Sequence, residues 1–397
     1  MKKTILYHIL PFVIACSTIY LFFMLISNKD RSTVIYTPSK ISGKYANYED
    51  SLAKTDLLYA LHNKSLIIWG SSELGGTDSL GYITHNFFPK QFNIPTLAIG
   101  HAGNQSFSIM CQLAALNKHV KNNKMVFVIS PGWFTNQYAQ GTSSNSFIEF
   151  VDEEYLKKIY YSNLNSKYIN YISNYIYRKR DDIHPMGYYT KRLMYKSWYK
   201  YLNIYDLFES VMPVVIDYIA PINIDNSEYK FKIKSVYNTN SKIPNWDYLK
   251  RKAINNFEII SSNNSMAINN TYYSNNIKGH ENISQGIVAK ENNIELSDFN
   301  MLISLINDLN INAVFIVQNL NPHVYINLEE VQPIIDDICN EFDKYNFRYY
   351  NMFTANKSEY SKGELTDAMH MGDLGWIKVN EFIYNALYNG KAIENNN

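Results

Sequence analysis

Two short stretches carry side chains whose types and spacing suit acyl transfer. The first is "IIWGSSELGG" (residues 67–76), where an apolar run ends at Gly70 and Ser71, Ser72 and Glu73 follow. Glycine permits a sharp exit from a strand, and the hydroxyls then fall where free N–H groups favour developing negative charge. A serine placed there can attack a carbonyl while neighbouring amides hold the oxyanion. The same Gly-Ser-Ser pattern also describes an ordinary helix cap. The second stretch is "LTDAMHMGDLGW" (residues 365–376), with Asp367 three positions ahead of His370. In a tight turn the carboxylate can accept the Nδ1 proton of the imidazole and leave Nε2 free as a base. A structural Asp–His contact, or a metal pair, would use the same spacing, although no third ligand stands at a recognisable interval. Of the nine histidines, His101 and His323 also follow apolar runs, and the others offer no comparable partner.

These two turns need a scaffold that brings them together. "SLIIWG", "TLAIG", "KMVFVISP", "NAVFIVQN" and "NFRYYNM" read as buried strands, and they alternate with amphipathic helical stretches. One such helix is "SDFNMLISLINDLN", which Ser297 is expected to cap. The pattern predicts an α/β fold, a parallel sheet with helices on both faces. In such sheets functional residues collect beyond the carboxyl ends of the strands, so both turns are expected on one edge. Residues 150–296 break the alternation. They are rich in Tyr, Asn and Lys and read as a large, mainly helical insertion or cap, or as an independent helical domain.

Residues 5–26 carry no charge beyond His8 and follow Lys2 and Lys3. About 20 such residues cross a bilayer as a helix, and the lysines favour a cytoplasmic N-terminus. The expected organisation is a membrane anchor over residues 1–30 and an extracytoplasmic catalytic domain over 31–397, with residues 29–64 as an exposed approach. A cleaved signal peptide or a lipidated Cys16 in "VIAC" are the alternatives. Cys111 and Cys339 lie far apart in apolar-periodic stretches and read as buried thiols, with no disulfide framework and no metal site. A net charge of +1 argues against nucleic acid as a partner. A basic run from Lys157 to Lys200, interleaved with tyrosine, suits phosphates of a polymer or lipid headgroups, or else forms the solvated faces of packed helices.

"GSSEL" (70–74), "ISPGWFTN" (129–136) and "DAMHMGDLGW" (367–376), in this order behind an apolar N-terminus, resemble the DltD family of D-alanyl-lipoteichoic acid biosynthesis proteins. The resemblance spans most of the chain; within the middle region its best point is "AINNTYY" (267–273). It implies an SGNH-hydrolase-like three-layer fold. It also implies Ser72 as nucleophile, His370 as base, Asp367 as orienting acid, and the amides of Ser72 and Gly103 as oxyanion hole. Glu73, Trp133 and Asn319 are expected to contact substrate, Glu73 through the ammonium of a D-alanyl group; the alternative for Glu73 is support of the turn through the helix dipole. The implied partners are a teichoic acid polymer, a D-alanyl donor supplied by a carrier protein or membrane acyltransferase, and membrane lipid, with no cofactor. The chain departs from the family pattern at Gly132, where glutamine is usual, at His101, and around Asn319, which lacks the aromatic pair that usually follows. An SGNH esterase or transferase of another envelope glycan, and a non-catalytic scaffold, are the competing readings.

Overall fold

The computed structural model describes residues 42–45, 51–75, 80–184, 186–196 and 243–389, with the pairs 35–36 and 230–231 and residues 14, 17 and 18. The expected anchor over residues 1–30 therefore lies almost wholly outside the described residues. Among the described residues no helix is long and apolar enough to cross a membrane. The chain divides into two units. In the smaller, Met1–Thr37 with Pro221–Lys232, Ile35–Tyr36 pairs in parallel with Lys230–Phe231.

The larger unit, Pro38–Ala220 with Ile233–Asn397, is built on one sheet. Its strands are β1 (Gly43–Tyr45), β2 (Leu66–Trp69), β3 (Thr96–Ile99), β4 (Lys124–Ile129), β5 (Asn312–Val317) and β6 (Arg348–Asn351). They lie in the order β1-β3-β2-β4-β5-β6, and every pairing is parallel. The register explains why the inner strands read as unbroken apolar runs. Ala98, Ile68, Val126 and Val314 stand side by side and belong to one core cluster. In the adjacent row Ile99, Trp69, Phe127 and Phe315 face the other way, and all are buried.

Helices cover both faces, giving three layers. The helices α1 (Ser51–His62), α2 (Thr84–Phe92), α3 (Ser106–Ala115), α4 (Ser144–Phe150), α5 (Glu153–Tyr160), α6 (Ser166–Arg178), α7 (Tyr188–Lys196), α8 (Trp246–Ile260), α9 (Ile294–Asp308), α10 (Gln332–Lys344) and α11 (Asp373–Leu387) follow in chain order. Phe88 and Phe92 of α2, with Val379 and Ile383 of α11, close the first face, and α8 adds Ala253. On the second face Phe342 of α10 stacks on Phe315 at 4.4 Å and meets Phe299 of α9 edge-on. Pro333 occupies the first turn of α10, where its missing N–H costs nothing. The cap of α9 is Asn293, whose side chain accepts the Leu296 amide, so the helix begins before Ser297.

Two further sequence expectations change. Residues 29–64 are not merely an exposed approach: β1 completes the sheet beside β3, and α1 buries Asp56, Leu57, Ala60 and Leu61. Three residues of edge strand are too short to display an alternation. The tyrosines of α6 are structural. Tyr175 stacks on Phe107 at 3.9 Å and donates to the Thr142 carbonyl, while Tyr171 and Tyr168 donate to Asp298 and Asp308 of α9. Tyrosine suits such a seam because its ring buries apolar area while its hydroxyl finds an acceptor. Several of the basic side chains lie against the same rings and acids: Arg192 over Tyr160, Lys158 on Glu154, and Lys167 on Asp308.

Candidate active site

Beyond the edge strand β1 the strand order reverses at β2, so the loops after β2 and β4 diverge to opposite faces and leave a crevice at the carboxyl edge. The turn after β2 is fixed by its neighbour after β3. Gly100, at φ +129°, brings its backbone against Gly70 so closely that any Cβ would collide with the Gly70 carbonyl. Buried Asn104 donates to that carbonyl at 3.1 Å. Asn104 escaped the sequence reading; its only signal is an amide just after a glycine-rich strand exit.

Within this turn the two serines differ. Ser71 is buried and its hydroxyl donates to the His101 carbonyl at 3.0 Å. Its amide donates to Glu73 Oε2 at 2.8 Å, and Trp133 Nε1 donates to Glu73 Oε1 at 3.0 Å. The carboxylate of Glu73, 3% exposed, thus braces the turn against the loop after β4. Burial pushes its pKa above the ordinary carboxylate value. Ser72 opens the short helical turn Ser72–Gly75 and is half-buried, and its hydroxyl engages no described residue. It lines a cleft of about 340 Å³ together with Gly103, Trp133, Gln285, Tyr325 and Met369. Gly103 has φ +92°, and a side chain there would be driven into the Ser146 hydroxyl.

The second turn closes on itself. Asp367 Oδ2 lies 2.8 Å from His370 Nδ1, and Oδ1 accepts the amides of Met369 at 2.9 Å and His370 at 2.7 Å. Gln318, at the end of β5, donates both to the Met369 carbonyl and to Ser130 Oγ, tying the turn to the loop after β4. Burial opposes ionisation of Asp367, but the His370 ring and the two amides outweigh it and hold the carboxyl below its ordinary value. The bond to Asp367 raises His370 above its ordinary value against the opposing effect of burial, and the field of Glu73 adds to the rise. No hydrogen bond joins Ser72 Oγ to His370 among the described contacts. Met369, the neighbour of His370, lies in the wall of the Ser72 cleft, and His370 is within electrostatic reach of Glu73. Catalytic hydrogen bonds are often long before substrate binds.

Asn319 is not brought to the cleft. It is fully buried after β5, donating to Glu364 at 3.4 Å and accepting the Thr354 amide at 3.3 Å. His101 points its Nε2 to Glu149 at 2.6 Å and packs on Phe150. Gln285 and Tyr325 were not anticipated. Gln285 Oε1 accepts Thr135 Oγ1 and Asn136 Nδ2 at 2.8 and 2.7 Å, across about 150 residues of sequence that hold no hint of the pairing. Among the described residues no group of three His, Cys, Asp or Glu side chains is placed to hold a metal ion.

The fold and these turns define a three-layer α/β protein that gathers a serine turn and an Asp–His turn at one edge of a parallel sheet. The family described as "DltD protein" matches residues 45–387, and this chain belongs to that family. Protein DltD of Staphylococcus aureus (strain NCTC 8325 / PS 47) is 21% identical over 341 residues, covering 83% of this chain and 82% of that one.

Proposed function

We propose that this protein is a membrane-anchored, extracytoplasmic serine acyltransferase of teichoic acid D-alanylation, built on the SGNH-hydrolase plan. The observation that carries this reading is the division of labour in the first turn. The Ser71 hydroxyl is engaged with the backbone while that of Ser72 faces a cleft whose wall includes the neighbour of His370. Ser72 Oγ attacks the carbonyl carbon of the activated D-alanyl group as His370 Nε2 takes the hydroxyl proton. Asp367 fixes the tautomer that makes this possible. The amides of Ser72 and Gly103 hold the oxyanion, each such donor contributing about 3 kcal/mol to the transition state. His370 returns the proton to the leaving group, and the acyl-serine is then cleaved by a polymer hydroxyl.

The apolar run of residues 5–26 supports the anchor over residues 1–30, with residues 31–397 outside the membrane and residues 150–296 serving as a cap. Envelope D-alanine ester should be lost in a deletion strain and be restored by the wild-type chain but not by Ser72→Ala. Restoration by Ser72→Ala would leave the scaffold reading in place. Intact D-alanine ester in the deletion strain, with another acyl ester lost, would move the activity to a different envelope glycan.

A further inference from the structure

A second cavity, of about 470 Å³, lies against the other side of the Asp367–His370 turn. Asp367 forms part of its wall, whereas Met369 lines the Ser72 cleft. Much of the remaining wall comes from residues 269–277. Asn269 accepts the amides of Thr271 and Tyr272, and its own amide donates to the Thr366 carbonyl, which fastens this segment to the catalytic turn. The helix then widens into a π-turn over Tyr273–Ile277, closed by the Lys278 amide on the Tyr273 carbonyl. Such turns are rare and concentrate at functional sites.

The chemistry of the wall is specific. Its two carboxylates are already engaged, Asp367 by His370 and Asp373 by the Leu80 amide and the Asn256 side chain. No lysine or arginine is among the described residues that line it. The Tyr272 phenol, the Thr271 hydroxyl and the Asn275 side-chain amide, by contrast, are neutral and hydrogen-bond to no described residue. A half-buried aromatic ring beside neutral donors and acceptors suits hydroxyl groups on a carbon backbone, while the nearby carboxylates disfavour a phosphate.

We propose that this cavity is an acceptor subsite, in which Tyr272, Thr271 and Asn275 hold a neutral polyol or sugar unit of the polymer while a neighbouring unit presents its hydroxyl in the Ser72 cleft. The inference rests on the acyl-serine reading above. That hydroxyl gives its proton to His370 Nε2 and its oxygen bonds to the acyl carbon. The bond from that carbon to Ser72 Oγ breaks, and Oγ recovers the proton from His370.

The test uses the full chain. Binding of a glycerol phosphate trimer to the Ser72→Ala protein is followed by saturation-transfer NMR, with and without Tyr272→Phe or Asn275→Ala. Each added substitution should weaken binding about five- to tenfold, the loss of one or two hydrogen bonds. Free glycerol should compete, and inorganic phosphate should not. In parallel, labelling of Ser72 by a fluorophosphonate, which needs no acceptor, is measured on otherwise wild-type protein. Normal labelling with trimer binding indifferent to Tyr272 and Asn275 overturns the subsite, as does competition by phosphate alone. Failure of labelling while binding still depends on Tyr272 overturns the catalytic reading and with it the acceptor role, leaving a polyol-binding site. Loss of labelling in Asn275→Ala itself would show a structural role and overturn the proposal.

Discussion

His370 and Asp367 form a closed four-residue turn in which one carboxylate oxygen lies 2.8 Å from the ring Nδ1 and the other holds two backbone amides. All the groups that fix the imidazole's tautomer thus come from its own turn, and long-range contacts only position that turn.

The pH dependence of the reaction follows from this pair. A base must be neutral, and Asp367 raises the His370 pKa above the ordinary 6.5. The rate should therefore rise with pH through an acid limb displaced above 6.5. Asp367→Asn removes the cause, so the limb should move down and kcat should fall by about 10²–10⁴-fold. A pH–rate profile of both proteins checks it; an unmoved limb would assign the titration to another group.

Ser71 and Ser72 should separate cleanly. Ser71→Ala removes a hydroxyl that donates to the His101 carbonyl, at a cost of about 1 kcal/mol in stability. Denaturant midpoints should show that loss while fluorophosphonate labelling persists. Ser72→Ala should do the reverse, abolishing labelling with little change in midpoint.

Glu73 offers a test of what it supports. Because one oxygen is held by the Ser71 amide and the other by Trp133 Nε1, Glu73→Gln should lower kcat equally for D-alanyl and plain acetyl donors, with about 1–3 kcal/mol of stability lost through the weakened Ser71 and Trp133 bonds. A selective rise in KM for the ammonium-bearing donor would instead make it the ammonium site.

Stability should carry a signature from the buried pair on α9. Burial raises Asp298 to about 7 from an ordinary 3.8, and it raises Glu295 as well. Between those values the folded state holds more protons than the unfolded one, so stability from this site is complete below pH 3.8 and is lost as pH rises through about 7. Asp298→Asn retains an acceptor for the Tyr171 hydroxyl and cannot ionise. The difference in unfolding free energy between variant and wild type should accordingly shift in the variant's favour from pH 5 to pH 8, by an amount on the order of a few kcal/mol. A difference independent of pH would mean that Asp298 does not titrate in this range.

Much of the scaffold could be read before any coordinates. β2 through β5 are buried on both faces, and such strands announce themselves as continuous apolar runs. The Asp-x-x-His turn was equally legible, since all its bonds are local. β1 was not, because three residues at an edge gain their place from backbone pairing with β3 alone. Nor was the role of the Tyr-rich segment, whose composition fits an independent domain as well as a layer on α3 and α9; the acceptors of the Tyr171 and Tyr168 hydroxyls lie more than a hundred residues away on α9. Asn319 is expected at the substrate because it keeps a position of the family pattern, yet the chain turns it inward, where a buried amide must find partners.

By itself the amino-acid sequence determined strands β2 to β6, the order of the serine turn and the Asp–His turn and the pairing of Asp367 with His370, all consequences of short-range backbone and side-chain preference. The tertiary structure alone decided which serine is left free, that Glu73 faces inward, and that Gln285, Tyr325 and Asn104 shape the cleft. Those outcomes depend on which loops become neighbours when six strands pair, and no local pattern encodes that choice.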